Sequence, residues 1–149
     1  KNMISLMGYD EKKYKGNLHI VSLTPRLLTP GGIYYNISKY IEMHNPSIFI
    51  LDGTTALERH FSKKLFLELL RSIIQECKLK EITFLMTALH DLMKKEVGLS
   101  TLSDNLIALW FDKDKDEITR MITILKERGS DHDRRKRRIF FRNSRVVIE

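Results

Sequence analysis

The sequence predicts an α/β protein with a mainly parallel sheet and antiparallel hairpin strands at its C-terminal end. Three observations lead there. Two short continuous apolar runs, Ser47–Leu51 and Ile82–Met86, flank one long helical pattern, the strand–helix–strand order of a parallel unit. Beyond Asn105–Phe111 the pattern changes: Glu117–Lys126, Arg137–Arg142 and Arg145–Ile148 read as strands with short connections and no helix between them. Composition supplies the material for a core, with 42% apolar and 30% charged residues in 149. That length suits one domain.

The elements follow in order. Asn17–Leu23 alternates and stops at Thr24–Pro25, which reads as a strand. After the Pro30–Gly31–Gly32 turn, Ile33, Ile37, Tyr40 and Ile41 recur at helical spacing, predicting a helix over Ile33–His44. Ser47–Leu51 reads as a strand buried on both faces. Ser62–Cys77 is the clearest helix: Phe61, Leu65, Phe66, Leu69, Leu70, Ile73, Ile74 and Cys77 form one apolar stripe. Ile82–Met86 and Asn105–Phe111 are two further strands. Asp112–Asp116 and Asn143–Ser144 read as hairpin turns.

Several function classes drop out early. The apolar fraction excludes disorder. The longest apolar runs are far below the roughly 20 residues that cross a bilayer, so no membrane partner is expected. Cys77 is the single cysteine and falls on the helical stripe, which makes it a core residue and excludes a disulfide framework. The five histidines form no metal-binding spacing, and His19 reads as a core residue. No secretory signal opens the chain, so a cytoplasmic setting is expected. The chain begins with Lys1, and Lys1–Gly8 reads as the end of a helix already under way, which suggests a fragment. The net charge of +7 is local, because Arg134, Arg135, Lys136, Arg137 and Arg138 carry five of those charges and leave +2.

Four constellations carry chemistry. Strand Ile48–Leu51 ends in Asp52, and ligands of open α/β sheets bind beyond the carboxyl ends of strands. A carboxylate there suits Mg²⁺ beside a phosphate; the plain alternative is a strand-end Asp capping the turn into Gly53-Thr54-Thr55. In Lys126-Glu127-Arg128, the two cations project to one side of a strand and suit a phosphate group. Gly129, Ser130 and His132 follow closely; the alternative is an edge strand with solvated charges. Gly98–Asn105 gathers Ser100, Thr101, Ser103 and Asp104 before a strand, where each alone could simply shape the turn. The run Arg134–Arg138 could bind nucleic acid or acidic lipid, but it lacks interleaved aromatics and reads first as a solvated charge run at an edge strand.

Gly98–Phe111 (GLSTLSDNLIALWF) and Glu117–Asp133 (EITRMITILKERGSDHD) together resemble the KaiC family of RecA-like P-loop ATPases. SIFILDGTTALER looks like that family's Walker B strand, and SLMGYDEKKYKGNLHIVSLTP like its Gly-Trp/Tyr-Asp segment. The resemblance spans nearly the whole chain. It implies a RecA-like three-layer domain of which residues 1–149 are the C-terminal part, and it implies binding of ATP with Mg²⁺. By the same resemblance, Asp52 is the Walker B carboxylate that helps hold the metal. Lys126 and Arg128 are the catalytic pair reaching across a ring interface, a hexamer, to the neighbour's phosphates. Gly129, Ser130 and His132 lie near that nucleotide, and Ser100-Thr101 falls where the clock member has its phosphoacceptors. The chain departs from the pattern in holding no G-x-x-x-x-G-K-[ST] and in reading Thr87-Ala88-Leu89-His90 after Met86. The family's catalytic Glu lies upstream of the segment matching Lys1–Gly8. The chain alone is therefore expected not to turn over ATP. The rival expectations are a degenerate, non-catalytic regulator and a nucleic-acid module working through Arg134–Arg138.

Overall fold

A computed structural model describes residues 16–89, 97–114, 117–142 and 145–149, without the side chains of 97, 98 and 114. The fold is mixed α/β, with parallel strands first and antiparallel strands after them. The chain divides into two compact units, Ser22–Leu102 and the remainder.

In the first unit Pro25–Leu27 forms a single 3₁₀ turn. Helix α1, Pro30–His44, starts earlier than the periodicity suggests. Thr29 caps it by accepting the Gly32 N–H at 3.1 Å, and Pro30 supplies a preset φ at the first position. It ends at Asn45, whose left-handed φ of 41° is a conformation asparagine tolerates. Strand β1, Ile48–Leu51, is followed by α2, Thr54–His60, where the sequence suggested only a turn. Helix α3, Lys63–Leu79, is capped by Ser62, which accepts from the Leu65 N–H at 3.4 Å. Strand β2, Thr83–Met86, lies parallel to β1 in register Ile48↔Thr83 to Leu51↔Met86. The unit closes with α4, Val97–Leu102, a short helix that the Ser/Thr-rich sequence did not announce.

The core of this unit joins Ile33, Ile37 and Ile41 of α1 to Phe66, Leu69, Leu70, Ile73 and Cys77 of α3, with Leu57 and Ile82. Each such side chain contributes about 1.5–3 kcal/mol by leaving water. Phe49, Leu51, Phe84 and Met86 turn toward these helices, and the Phe49 and Phe84 rings stack at 5.5 Å. The opposite side of the strand pair differs from expectation: Ile48 and Ile50 are 56% and 59% exposed, so β1 is covered on one face. The helices reach only the side that Phe49 and Leu51 present.

The second unit is an antiparallel sheet, β3 (Asn105–Asp114), β4 (Glu117–Glu127), β5 (Arg137–Arg142) and β6 (Arg145–Ile148), in that order. Asp112 and Lys113, expected in a turn, pair with Thr119 and Ile118 inside the ladder, because the strand continues through Asp114. Asn143–Ser144 lies outside the described residues; Arg142 and Arg145 on either side of it are ladder partners. Period-two alternation sorts the residues. Ala108 and Thr123 are buried on one face, whereas Leu109, Phe111, Ile118 and Phe141 are exposed on the other. There Arg120 stands 5.8 Å from the Phe111 ring and 5.6 Å from the Phe141 ring, a cation shared by two aromatic faces. Asn17–Leu23 is not a strand. Alternation alone does not make a strand, and His19 there is exposed, not a core residue.

No helix among the described residues is long and apolar enough to cross a membrane.

Candidate functional site

The carboxyl ends of β1 and β2 are knotted by side chains. Asp52 follows β1, and Gly53 turns the chain with φ 78°, a left-handed value that glycine adopts without strain. Thr87, the residue after β2, binds this turn from the neighbouring strand. Its hydroxyl donates to Asp52 Oδ1 and accepts the Gly53 N–H at 2.8 Å. Its carbonyl accepts both the Thr54 N–H and the Thr54 hydroxyl at 2.9 Å, and its own N–H reaches Leu51 O at 3.1 Å. Thr54 is 1% exposed, so this clasp is rooted in the core. Leu89 N–H adds a bond to Thr55 Oγ1 at 2.7 Å.

The result is an exposed carboxylate whose direction is fixed by a hydroxyl, at the place where open parallel sheets bind ligands. One oxygen is occupied by Thr87, and the carboxylate remains able to bind a hard cation. In the sequence Thr87 gives only a weak signal, as a residue at a carboxyl strand end that could face a ligand. Its position, directly after a buried-type strand and level with Asp52 across a parallel pair, is the signal that identifies it.

The second cluster sits at the open end of the β3–β4 hairpin. Lys126 pairs with Leu106 and Ile124 with Ile107, so Leu125 is an extra residue in a β-bulge. The bulge carries Lys126 onto the face of Ala108 and Thr123, away from that of Ile122 and Ile124. Lys126 Nζ donates to Ser103 O at 2.6 Å. Beyond the strand, Arg128 donates from its backbone to Asp104 O at 3.1 Å and from its guanidinium to Asp104 Oδ1 at 3.2 Å. Two constellations that are distant in sequence, Ser103–Asp104 and Lys126–Arg128, thus form one. Both cations are docked on the turn that opens β3.

Gly129 then takes φ 84°, and an added Cβ would meet nothing within 4 Å, so its glycine serves the backbone alone. Ser130 is exposed, and the His132 N–H bonds the Asp131 carboxylate at 3.0 Å. Two polar atoms of this unit, Ser103 Oγ and His132 Nε2, are closed to solvent without a hydrogen-bond partner. Such atoms are uncommon in folded proteins.

The basic run is partly spent on its own chain. Asp133 binds the Arg135 guanidinium through both oxygens at 2.9 and 3.0 Å, the Arg135 N–H at 2.9 Å and Arg137 at 2.8 Å. Those two guanidinium groups, Arg135 first, hold the Asp133 carboxyl well below the usual aspartate range. Lys136 lies 5.9 Å from the Trp110 ring. Thr123 donates its hydroxyl to the Arg134 and Arg135 carbonyls at 3.2 Å. Ser100 is half-buried and Thr101 exposed, both in α4 of the first unit, and both are engaged in interactions.

Comparison with known proteins places this architecture. A family model described as "ATPase: KaiC" matches residues 8–149. The chain is 28% identical to the circadian clock protein KaiC3 of Synechocystis over 133 residues, which is 86% of this chain and 26% of that protein. It is 26% identical to the circadian clock oscillator protein KaiC of Rippkaea orientalis over 148 residues, 96% of this chain and 28% of that one. The chain thus spans about a quarter of the length of these curated relatives. The solved structure of a KaiC-like protein from the hyperthermophilic archaeon Pyrococcus horikoshii superposes with a TM-score of 0.80 at 16% identity, covering 99% of this chain and 68% of that one. The fold is therefore RecA-like, as the resemblance implied, and the chain belongs to the KaiC ATPase family.

Proposed function

We propose that this chain is the C-terminal part of an ATP-hydrolysing ring domain, holding the metal carboxylate and the phosphate-directed cations of neighbouring sites. The observation that carries this reading is the clasp at the strand ends, where Thr87 and Gly53 fix the Asp52 carboxylate. An oriented acid at that point is what a Mg²⁺–phosphate pair requires, and Asp52 supplies a hard oxygen donor for it. The metal, when bound, would neutralise charge on the phosphates. Thr87 would keep the carboxylate from rotating away.

The cradle for the β- and γ-phosphates is a glycine-rich loop in P-loop enzymes, and this sequence contains none. We assign that role to further polypeptide of the same domain. The exposed apolar face of the parallel pair supports this, since parallel strands are as a rule covered on both faces.

Lys126 and Arg128 act in this reading on the nucleotide of an adjacent subunit in the ring. They would first leave Ser103 O and Asp104. Their charge would then meet the transferring phosphoryl group as it develops negative charge. Docking on their own turn holds them extended at the strand end without committing them.

Subunit mixing tests this in the full-length protein. Asp52→Asn and the Lys126→Ala/Arg128→Ala double variant should each lose ATP turnover, by on the order of 10³-fold for the cation pair. Nucleotide affinity should change far less. Mixed rings should regain turnover, because an interface with an intact Asp52 on one side and intact cations on the other is complete. Normal turnover in the double variant, or no recovery on mixing, overturns the assignment.

A further inference from the structure

Helix α3 carries an acid where its apolar stripe calls for hydrocarbon. Glu76 follows Ile73 by one turn, adjoins the buried Cys77 and is only 8% exposed. Its Oε1 accepts from Ser38 of α1 at 2.8 Å. Lys80 Nζ lies 3.7 Å from the same oxygen and 4.0 Å from Glu42. Both distances exceed a hydrogen bond, so one ammonium serves two carboxylates through charge alone. Glu76 Oε2 is closed to solvent and has no hydrogen-bond partner. A buried carboxylate oxygen without a donor is strongly unfavourable unless something completes it.

These groups line an open groove of about 490 Å³ between α1 and α3. Its charged members are Glu42, Glu76 and Lys80, a net single negative charge. Tyr34 faces the carboxylate, and burial first, then a hydrogen bond to Glu76, raises its pKa, so its hydroxyl stays protonated. Gln75 adds an amide at the rim.

We propose that this cleft binds a guanidinium group, which seats against Glu76 and Glu42 and displaces the Lys80 ammonium. A planar fork of five N–H donors can satisfy both oxygens of one carboxylate and still reach a second acid. Lys80 follows the end of α3 on a flexible stem, and its outward swing would free the two acids its ammonium faces, Glu76 at Oε1 and Glu42. The site stands apart from the phosphate chemistry above and does not depend on it.

The test is an amide NMR titration of the chain with methylguanidinium chloride at constant ionic strength. Expected are saturable shifts at the residues of this cleft. Glu76→Gln keeps the shape and the Ser38 bond but should weaken binding at least about tenfold, as should urea, which has the same plane without the charge. Lys80→Met removes the competing cation and should tighten binding several-fold, an effect that a purely structural Glu76–Lys80 contact does not produce. Urea shifting the same amides equally, Glu76→Gln binding unchanged, or Lys80→Met abolishing binding overturns the proposal. The tripeptide Gly-Arg-Gly distinguishes the source. Binding as tight as methylguanidinium assigns the site to an arginine side chain of a polypeptide, and exclusion of the peptide assigns it to a free small molecule.

Discussion

The two units of the chain solve the same problem by different means. Ser22–Leu102 stacks helical stripes on one side of a strand pair and encloses Ile33, Leu70 and Ile73 completely. The four-stranded sheet relies on its ladders and, among the described residues, buries only Ala108 and Thr123, leaving Leu109 and Phe111 about two-thirds exposed. A helical stripe meets another stripe nearby in sequence and closes a core locally. A sheet sorts its residues onto two faces, and each apolar face then calls for a further layer.

The sharpest way to break this contrast is truncation of one apolar residue in each unit. Leu70→Ala should destabilise its unit by about 2–5 kcal/mol, because a fully enclosed site leaves a cavity. Leu109→Ala should cost about 0.5 kcal/mol or less in the same denaturation series, since its side chain is already in water. Similar losses for the two would show that the exposed face is covered in solution. Ser62→Ala removes the cap of α3 and should cost about 1 kcal/mol, with hydrogen exchange rising first in the opening turn. Gly129→Ala should cost roughly 1–2 kcal/mol through its left-handed φ alone, with no steric contribution.

The smallest expected effect concerns Asp133. Its carboxyl is held below the ordinary 3.8 by Arg135 and Arg137. A depressed native pKa stabilises above the unfolded value and is lost only as pH falls through the lowered one. The clasp should therefore survive acidification through the usual aspartate range. A carboxyl NMR titration checks this, and Asp133→Asn should make the Arg135 side-chain signals insensitive to acid.

Much of the first unit was legible because its signals are dense and local. The stripe from Phe66 to Cys77 fixes a helix and its buried face together, and Ser62 marks its start. What stayed hidden depends on partners. Asn17–Leu23 has the alternation of a strand but takes no place in either described sheet. Val97–Leu102 becomes helical despite a composition that favours turns. Of the proposed site, residue type and position offered Asp52 and the Lys126–Arg128 pair as candidates beside plainer readings, and the family resemblance gave them their roles. Thr87 was missed as the clasp because its role lies in a hydrogen bond across two strands, which no spacing within one segment encodes. The docking of Lys126 on Ser103 O likewise needs the hairpin register, and with it the bulge.

That bulge leaves β4 with a spare link. Ile124 and Lys126 already face consecutive residues of β3, and Leu125 stands outside the count. Shortening the strand by this one residue would close the ladder and leave Lys126 opposite Leu106. The same deletion between Thr119 and Ile122 would throw the following side chains out of phase. The phosphate-directed end of the strand is therefore geared independently of its core-facing stretch, and changes in length can be absorbed at Leu125 without turning the two cations away from their turn.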